Sequence, residues 1–124
     1  MRYMFLIYSR EEENASPEEL SETAAAHRTV MGETARRGIF RAADPLEPST
    51  TATTVRIQNG GVLLTDGPFA ESKEQLAGYY ILDCADLDEA IEWAAKIRTA
   101  CQGAPGWVEV RPIREIPKPA ARNG

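Results

Sequence analysis

Apolar residues follow two different periods along this chain, and each period predicts one kind of element. Alternation of apolar residues predicts strands over 2–9, 38–44, 75–84 and 106–116, and a hairpin around Asn59-Gly60-Gly61. A repeat of three and four residues predicts helices from about Pro17 to Arg37 and from Leu87 to about Gly103. This order of elements predicts an α+β fold of the ferredoxin-like, split βαβ kind with an extra hairpin.

The first helix has recognisable ends and one apolar stripe. Ser16 is the predicted N-cap, with Pro17 at the first helical position, Glu19 completing a capping box and Gly38 as the stop. The stripe includes the only histidine of the chain. Its members are Leu20, Ala24, His27, Met31 and Ala35, with Val30 and Thr34 beside it.

The second helix and the last strand are predicted in the same way. Asp86, three residues before Glu89, is the predicted cap of the helix. Pro112 removes an amide donor from the last strand, so we expect that strand at an edge of the sheet or with a bulge. The predicted buried face of the second helix consists of Leu87, Ala90, Ile91, Ala94, Ile97 and Cys101, with Trp93 at its margin.

The length of the hairpin loop determines which residues share a face. If Asn59-Gly60 is a two-residue turn, Ile57 faces Val62 and Thr53 faces Asp66, so Asp66 continues an apolar row. A two-residue turn at Gly60-Gly61 would keep Asp66 on that side, whereas a three-residue loop would move it to the other side.

The strands at 2–9 and 75–84 are apolar on both of their alternating rows. Two helices can cover only one face of the predicted sheet, so its second face needs a cover that the chain does not contain. We therefore expect the same face of a second subunit to provide that cover, in a two-fold homodimer.

Composition bounds the class of protein. The 124 residues, 43% hydrophobic and 27% charged, fit one folded domain over 1–116 with a flexible tail over 117–124. A net charge of -5 with scattered basic residues argues against direct nucleic-acid binding. The first apolar run is too short for a signal peptide or a membrane span, which favours a cytoplasmic protein. Cys84 and Cys101 have no metal-type spacing, and we expect buried thiols, no metal and no cofactor.

Five stretches carry a family resemblance: "MRYMFLIY", "PSTTATTVRI", "DGPFAESKEQLAGYYILD", "DLDEAIEWAA" and "VEVRPI". Together they resemble the YCII-related proteins, and within them the branch with the DGPF motif. The resemblance implies a dimeric α/β-barrel and a suspected enzymatic site of one His and one Asp. It also implies an association with proteins encoded beside extracytoplasmic-function sigma factors.

His27 and Asp66 are therefore the candidate catalytic residues. A carboxylate held against one imidazole nitrogen would fix the tautomer, raise the basicity of the ring and leave the other nitrogen for proton transfer to a small-molecule substrate. The alternative for Asp66 is a turn residue, and the alternative for His27 is a core histidine. Gly67, Pro68, Phe69 and Tyr79 are the candidate loop or ligand-binding residues.

Two functions remain open from the sequence. The first is a cofactor-independent enzyme that uses a His/Asp acid–base pair on a small organic molecule. The second is a non-catalytic ligand-binding or regulatory interaction module linked to a sigma-factor pathway. Both predict the same fold, so the fold does not decide between them.

Overall fold

A computed structural model of the chain describes residues 1–11 and 15–120. Parts of the predicted loop after the first strand and of the predicted tail, residues 12–14 and 121–124, lie outside the described residues. The elements are β1 (Arg2–Arg10), α1 (Pro17–Arg36), β2 (Phe40–Pro45), β3 (Thr53–Gln58), β4 (Gly61–Asp66), β5 (Glu74–Asp83), α2 (Leu87–Ala100) and β6 (Gly106–Pro112), with a short 3-10 turn at Ser49–Thr51.

Four strands form one antiparallel sheet in the order β2-β5-β1-β6, and β3 pairs only with β4 in a separate hairpin. The first strand of each βαβ unit, β1 and β5, therefore lies at the centre, which is the ferredoxin-like arrangement predicted from the element order. β6 lies at an edge, as Pro112 predicted.

Side-chain caps begin both helices where the sequence predicted them. The hydroxyl of Ser16 accepts a hydrogen bond from the Glu19 amide at 3.1 Å, and the Asp86 carboxylate accepts one from the Glu89 amide at 2.9 Å. Gly38 follows the C-cap of α1 with φ +74°, a conformation that residues with a Cβ rarely adopt.

The core lies between the helices and one face of the sheet. Tyr3, Phe5 and Ile7 of β1 are buried there beside Tyr80 and Leu82 of β5. Side chains of α2 close the core from the other side: Ala90, Trp93, Ile97 and Ala100. The buried Cys84 and Cys101 confirm the expectation of core thiols.

The buried face of α2 differs from the predicted one. Trp93 is buried in the core and not at its margin, whereas Leu87 and Ile91 are about half exposed. The helix is rotated towards its indole because burying the largest apolar side chain removes the most apolar surface from water.

The buried face of α1 also differs from the predicted stripe. Val30 and Thr34 are the buried residues, whereas Leu20, Ala24 and Ala35 are exposed. Burial of Thr34 is tolerated because its hydroxyl donates to the Val30 carbonyl at 2.9 Å. Four of the five members of the predicted stripe line a cavity.

The hairpin has the two-residue turn at Asn59-Gly60, with φ +52° and +78°. Its register pairs Ile57 with Val62 and Thr53 with Asp66, which confirms the first of the predicted pairings. Its strand residues are exposed apart from the half-buried Thr54, so this apolar row is not part of the core.

The face of the sheet opposite the helices carries Met4, Leu6, Tyr8 and Ile81, and we call it the open face. Tyr8 stacks on Trp107 of β6 there, with ring centroids 5.5 Å apart. Leu6 faces Tyr79 across β1 and β5 in the register of the sheet. None of the described helices has the length and the apolar content needed to cross a membrane.

Candidate active site

A cavity of about 760 Å³ lies between the N-terminal half of α1 and the sheet. Residues at one end of β2 and β5 and the segment after α2 complete its wall. Four members of the predicted α1 stripe line it: Leu20, Ala24, His27 and Met31. The apolar stripe is therefore the wall of a ligand-sized space, and the only histidine of the chain lies in that wall.

The imidazole of His27 is held by a tyrosine. Its Nδ1 lies 2.8 Å from the hydroxyl oxygen of Tyr80, and that hydroxyl also lies 3.4 Å from the backbone carbonyl oxygen of His27. The two rings are tilted by 40° with centroids 5.9 Å apart. Tyr80 is held in turn by the sheet, where it lies opposite Phe5.

Burial keeps both groups of this pair neutral. Burial lowers the pKa of His27 below its ordinary value of 6.5, because it disfavours the imidazolium form. Burial, with a smaller contribution from Cys101, raises the pKa of Tyr80 above that of a free tyrosine. At neutral pH the ring therefore has one nitrogen without a proton, and the phenol keeps its proton.

The second ring nitrogen, Nε2, is open. Among the described residues the ring forms no hydrogen bond other than that with Tyr80, and no buried side-chain nitrogen or oxygen lacks a partner. Nε2 has no protein partner, yet it is not among the buried atoms that lack one. It is therefore reachable by solvent. The geometry thus presents one nitrogen to a ligand and fixes the other.

Asp66 is not brought to His27 within one chain. It lies at the exposed end of β4, paired in register with Thr53, and does not line the cavity. Asp66 does not contact the His27 ring, contrary to the expectation from the sequence, because the hairpin row that ends at Asp66 faces away from the core. The carboxylate is exposed there, so it needs no buried partner.

The other predicted loop residues are also placed outside the cavity. Gly67 has φ +88° and its amide donates to the Ala52 carbonyl at 2.7 Å, so it closes the base of the hairpin. Pro68 follows it, and Phe69 is exposed with the Arg56 guanidinium 5.4 Å from its ring centroid. These three residues shape the loop after β4.

Tyr79 does contribute to the cavity wall, but its hydroxyl is engaged. It donates to the Asp44 carboxylate at 2.8 Å, and this hydrogen bond raises the pKa of Tyr79. Tyr80, which is not among the candidate residues predicted from the sequence, is the tyrosine that meets His27. Strand alternation could have distinguished the two tyrosines, because Tyr80 lies on the same helix-facing row as Leu82 and Tyr79 does not.

No group of three or more His, Cys, Asp or Glu side chains that could hold a metal ion occurs within residues 1–11 and 15–120. The ferredoxin-like fold and the histidine-lined cavity define a small α+β protein with a candidate acid–base site. The model of the YCII-related domain matches residues 1–117. The chain belongs to that family.

Other similarities are more limited. An uncharacterized protein of Rhizobium meliloti (strain 1021) is 48% identical over 68 residues, 55% of this chain. The chain spans about half the length of that curated relative, since the match covers 54% of it.

Two solved structures share the general layout of the chain. One is 5-chloro-2-hydroxyhydroquinone dehydrochlorinase (TftG) from Burkholderia phenoliruptrix AC1100 in complex with 2,5-dihydroxybenzoquinone, with TM-score 0.47, 15% identity and coverage of 90% of this chain and 93% of that chain. The other is the divalent cation tolerance protein (Cut A1) from Thermus thermophilus, with TM-score 0.42, 13% identity and coverage of 94% and 88%. At these scores neither similarity indicates what this chain binds or does.

Proposed function

We propose that this protein is a cofactor-independent enzyme that moves a proton on a small organic molecule, with His27 as the general acid/base. The observation that carries the proposal is the placement of the only imidazole: one nitrogen is held by Tyr80, the other is not buried, and the residue lines a 760 Å³ cavity. A positioned imidazole contributes about 10²–10⁴-fold to a proton transfer.

The two contacts of the Tyr80 hydroxyl define a short chain of hydrogen bonds, which we call the relay. In this relay Nδ1–H of His27 donates to the Tyr80 oxygen, and the Tyr80 O–H donates to the His27 carbonyl. This arrangement gives each of the two contacts its own donor, and it leaves the lone pair of Nε2 as a base. When Nε2 accepts a substrate proton, the hydrogen bond from Nδ1–H stays in place. The orienting role that the sequence assigned to Asp66 passes to Tyr80.

The lowered pKa of His27 suits a base that works at neutral pH. An ordinary histidine is partly protonated near its pKa of 6.5, whereas a buried one stays neutral to a lower pH. The side chains of Leu20, Ala24 and Met31 line the cavity beside His27 and offer a substrate apolar contact surface.

We also place the chain in the DGPF-motif branch and propose that it is a homodimer formed through the open face. Asp66-Gly67-Pro68-Phe69 is the motif that supports the branch. The open face supports the dimer, because Leu6 and Ile81 lie at the centre of a sheet face that no described helix covers. An isologous pairing would remove both copies of this face from water.

Solvent exchange tests the enzymatic proposal without a known substrate. Mixtures of small organic acids, ketones and phenols are incubated in D₂O with the protein, and NMR records deuterium that enters carbon positions. We expect incorporation by the wild type, a loss of about 10²-fold or more in His27→Gln, and little change in Asp66→Asn. The Asp66→Asn variant is the matched control, because both substitutions replace a candidate catalytic side chain with an amide.

Incorporation that is equal in the wild type and His27→Gln would show that His27 is not the base. Incorporation that falls equally in His27→Gln and Asp66→Asn would restore the His/Asp pair expected from the sequence.

The second candidate function is a non-catalytic ligand-binding module. It is favoured by the aliphatic part of the cavity wall, which can hold an apolar ligand without any proton transfer. A compound from the same mixtures that binds the wild type and His27→Gln with equal affinity and is recovered without deuterium would support this function.

A further inference from the structure

We propose that the β3–β4 hairpin is an arm that packs its apolar row onto a second copy of this chain. The inference rests on the homodimer proposed above and adds a surface to it. The hairpin contributes no side chain to the described core, although its strands are as rich in aliphatic residues as the core strands.

One row of the hairpin is aliphatic and almost fully accessible. Its members alternate along both strands and pair across the turn, Val55 with Leu64 and Ile57 with Val62. Their exposed fractions are 60% for Val55, 70% for Ile57, 68% for Val62 and 63% for Leu64. Four adjacent aliphatic side chains at such exposure mark an interaction surface when they form one contiguous patch.

Among residues 1–11 and 15–120, no further strand pairs with the hairpin. Hydrogen bonds of the described hairpin residues stay within the two strands or reach the base of the hairpin, where Thr54 donates to the Gly67 carbonyl at 2.8 Å. A two-stranded hairpin is marginally stable in water unless a further strand or helix packs on its apolar face. The row is exposed among residues 1–11 and 15–120, so we assign that packing to a partner.

The area of the open face argues that a second copy supplies it. Four strands at about 4.8 Å spacing, with about seven residues of about 3.3 Å each, give a face of about 450 Å² per copy. A standard stable interface buries about 800 Å² per partner. By the same spacings, one face of the two six-residue hairpin strands has an area of about 200 Å². Each copy buries this face of its own arm and an equal patch beneath the arm of its partner, in addition to its open face. The two arms therefore bring the interface to about the standard size.

Each of the two surfaces has an apolar centre. Val55, Ile57, Val62 and Leu64 of the hairpin row carry no charge. The open face has Met4, Leu6 and Ile81 at its centre, with Glu109 and Arg111 of β6 beside Leu6 and Met4. Under two-fold symmetry each copy offers one arm and one open face, so both unpartnered surfaces are buried by one partner. A different protein would have to match both surfaces separately.

Sedimentation of charged variants tests the arm. Ile57→Glu places a carboxylate in the apolar row, whereas Leu63→Glu adds the same charge to the opposite row, beside Arg56. Both sites are exposed, so both variants should keep the circular dichroism spectrum of the wild type. We expect Ile57→Glu to raise the dimer dissociation constant about 100-fold or more, because symmetry repeats the substitution in both arms, and Leu63→Glu to change it by less than about threefold.

The outcomes separate the arm from the dimer. A dimer that is equally tight in the wild type and Ile57→Glu overturns the arm and leaves the open-face dimer standing. A wild type that is monomeric at high micromolar concentration overturns both. The variant Trp107→Glu alters the open face. If Ile57→Glu weakens the dimer and Trp107→Glu does not, the arm is supported and the proposed contact between the two open faces is overturned.

A photocross-link provides a direct second measurement. Val62 is replaced by p-benzoylphenylalanine, and ¹⁴N- and ¹⁵N-labelled copies are mixed before irradiation. Cross-linked peptides of mixed label are expected, because the arm of one copy contacts the other. Cross-links of a single label only would place the hairpin on its own chain and overturn the arm.

Discussion

The covered face of the sheet and the β3–β4 hairpin are built from similar sequence, and their surroundings are opposite. Leu82 of β5 is 0% exposed beneath the helices, whereas Leu64 of β4 is 63% exposed. Both are aliphatic residues in alternating strands, and each is paired across its sheet, Leu82 with Tyr3 and Leu64 with Val55. Alternation thus identifies residues that share a face, but it does not identify what covers that face.

The same contrast separates the two candidate catalytic residues. His27 lies above the covered face, where burial lowers its pKa and Tyr80 fixes its ring. Asp66 lies at the end of the hairpin, at the surface. The chemistry proposed for this protein therefore depends on the covered region, and the proposed association depends on the open face and the hairpin.

The largest expected difference between the two regions is in stability. Leu82→Ala should lower the free energy of unfolding by about 2–5 kcal/mol, because it leaves a cavity in the core. Leu64→Ala should cost less than about 1 kcal/mol in dilute solution, where the hairpin is solvated. Urea unfolding followed by the fluorescence of the buried Trp93 measures both, and equal costs would show that the hairpin belongs to the core.

A smaller effect is expected from the hydroxyl that holds the imidazole. Tyr80→Phe should cost about 1 kcal/mol of stability and lower the population of the Nδ1–H tautomer of His27, because Nδ1 loses its acceptor. Long-range ¹H–¹⁵N NMR reports the tautomer directly, and one histidine gives one set of signals. Tyr79→Phe is the control, since its hydroxyl bonds Asp44, and a tautomer change in that variant would contradict the assignment.

The pH dependence of stability tests the burial of His27. Its pKa is lowered in the folded chain, so between that value and 6.5 the unfolded chain binds more protons. The free energy of unfolding should therefore fall as the pH drops from 6.5 towards the folded pKa, and this component should be absent in His27→Gln. Identical pH profiles of the two proteins, or an NMR pKa above 6.5, would contradict it.

The smallest effect is expected at the hairpin carboxylate. Asp66→Asn should change stability by less than about 0.5 kcal/mol and leave the NMR titration of His27 unchanged, because the two residues do not meet in one chain. A shift of the His27 pKa in Asp66→Asn that requires the dimer would show that Asp66 of one copy reaches His27 of the other.

Local sequence determined the type and order of the elements and the N-terminal caps of both helices. The Ser16 and Asp86 caps follow from interactions within a few residues. The Thr53–Asp66 pairing follows from the two-residue period of a strand once the turn lies at Asn59-Gly60. The last strand ends at Pro112 and not at residue 116 as predicted. The ferredoxin-like order followed from the sequence of elements, because only a few topologies accommodate it.

The tertiary structure decided how each element is rotated and what covers it. Trp93 lies in the core and Leu20 of α1 lies in a cavity wall. The spacing of apolar residues along a helix does not fix these positions, because packing against the sheet sets the rotation of each helix. The partner of His27 was decided in the same way. Tyr80 and Asp66 are both polar residues on otherwise apolar rows, and only the folded chain places the row of Tyr80 beneath the helix and the row of Asp66 at the surface.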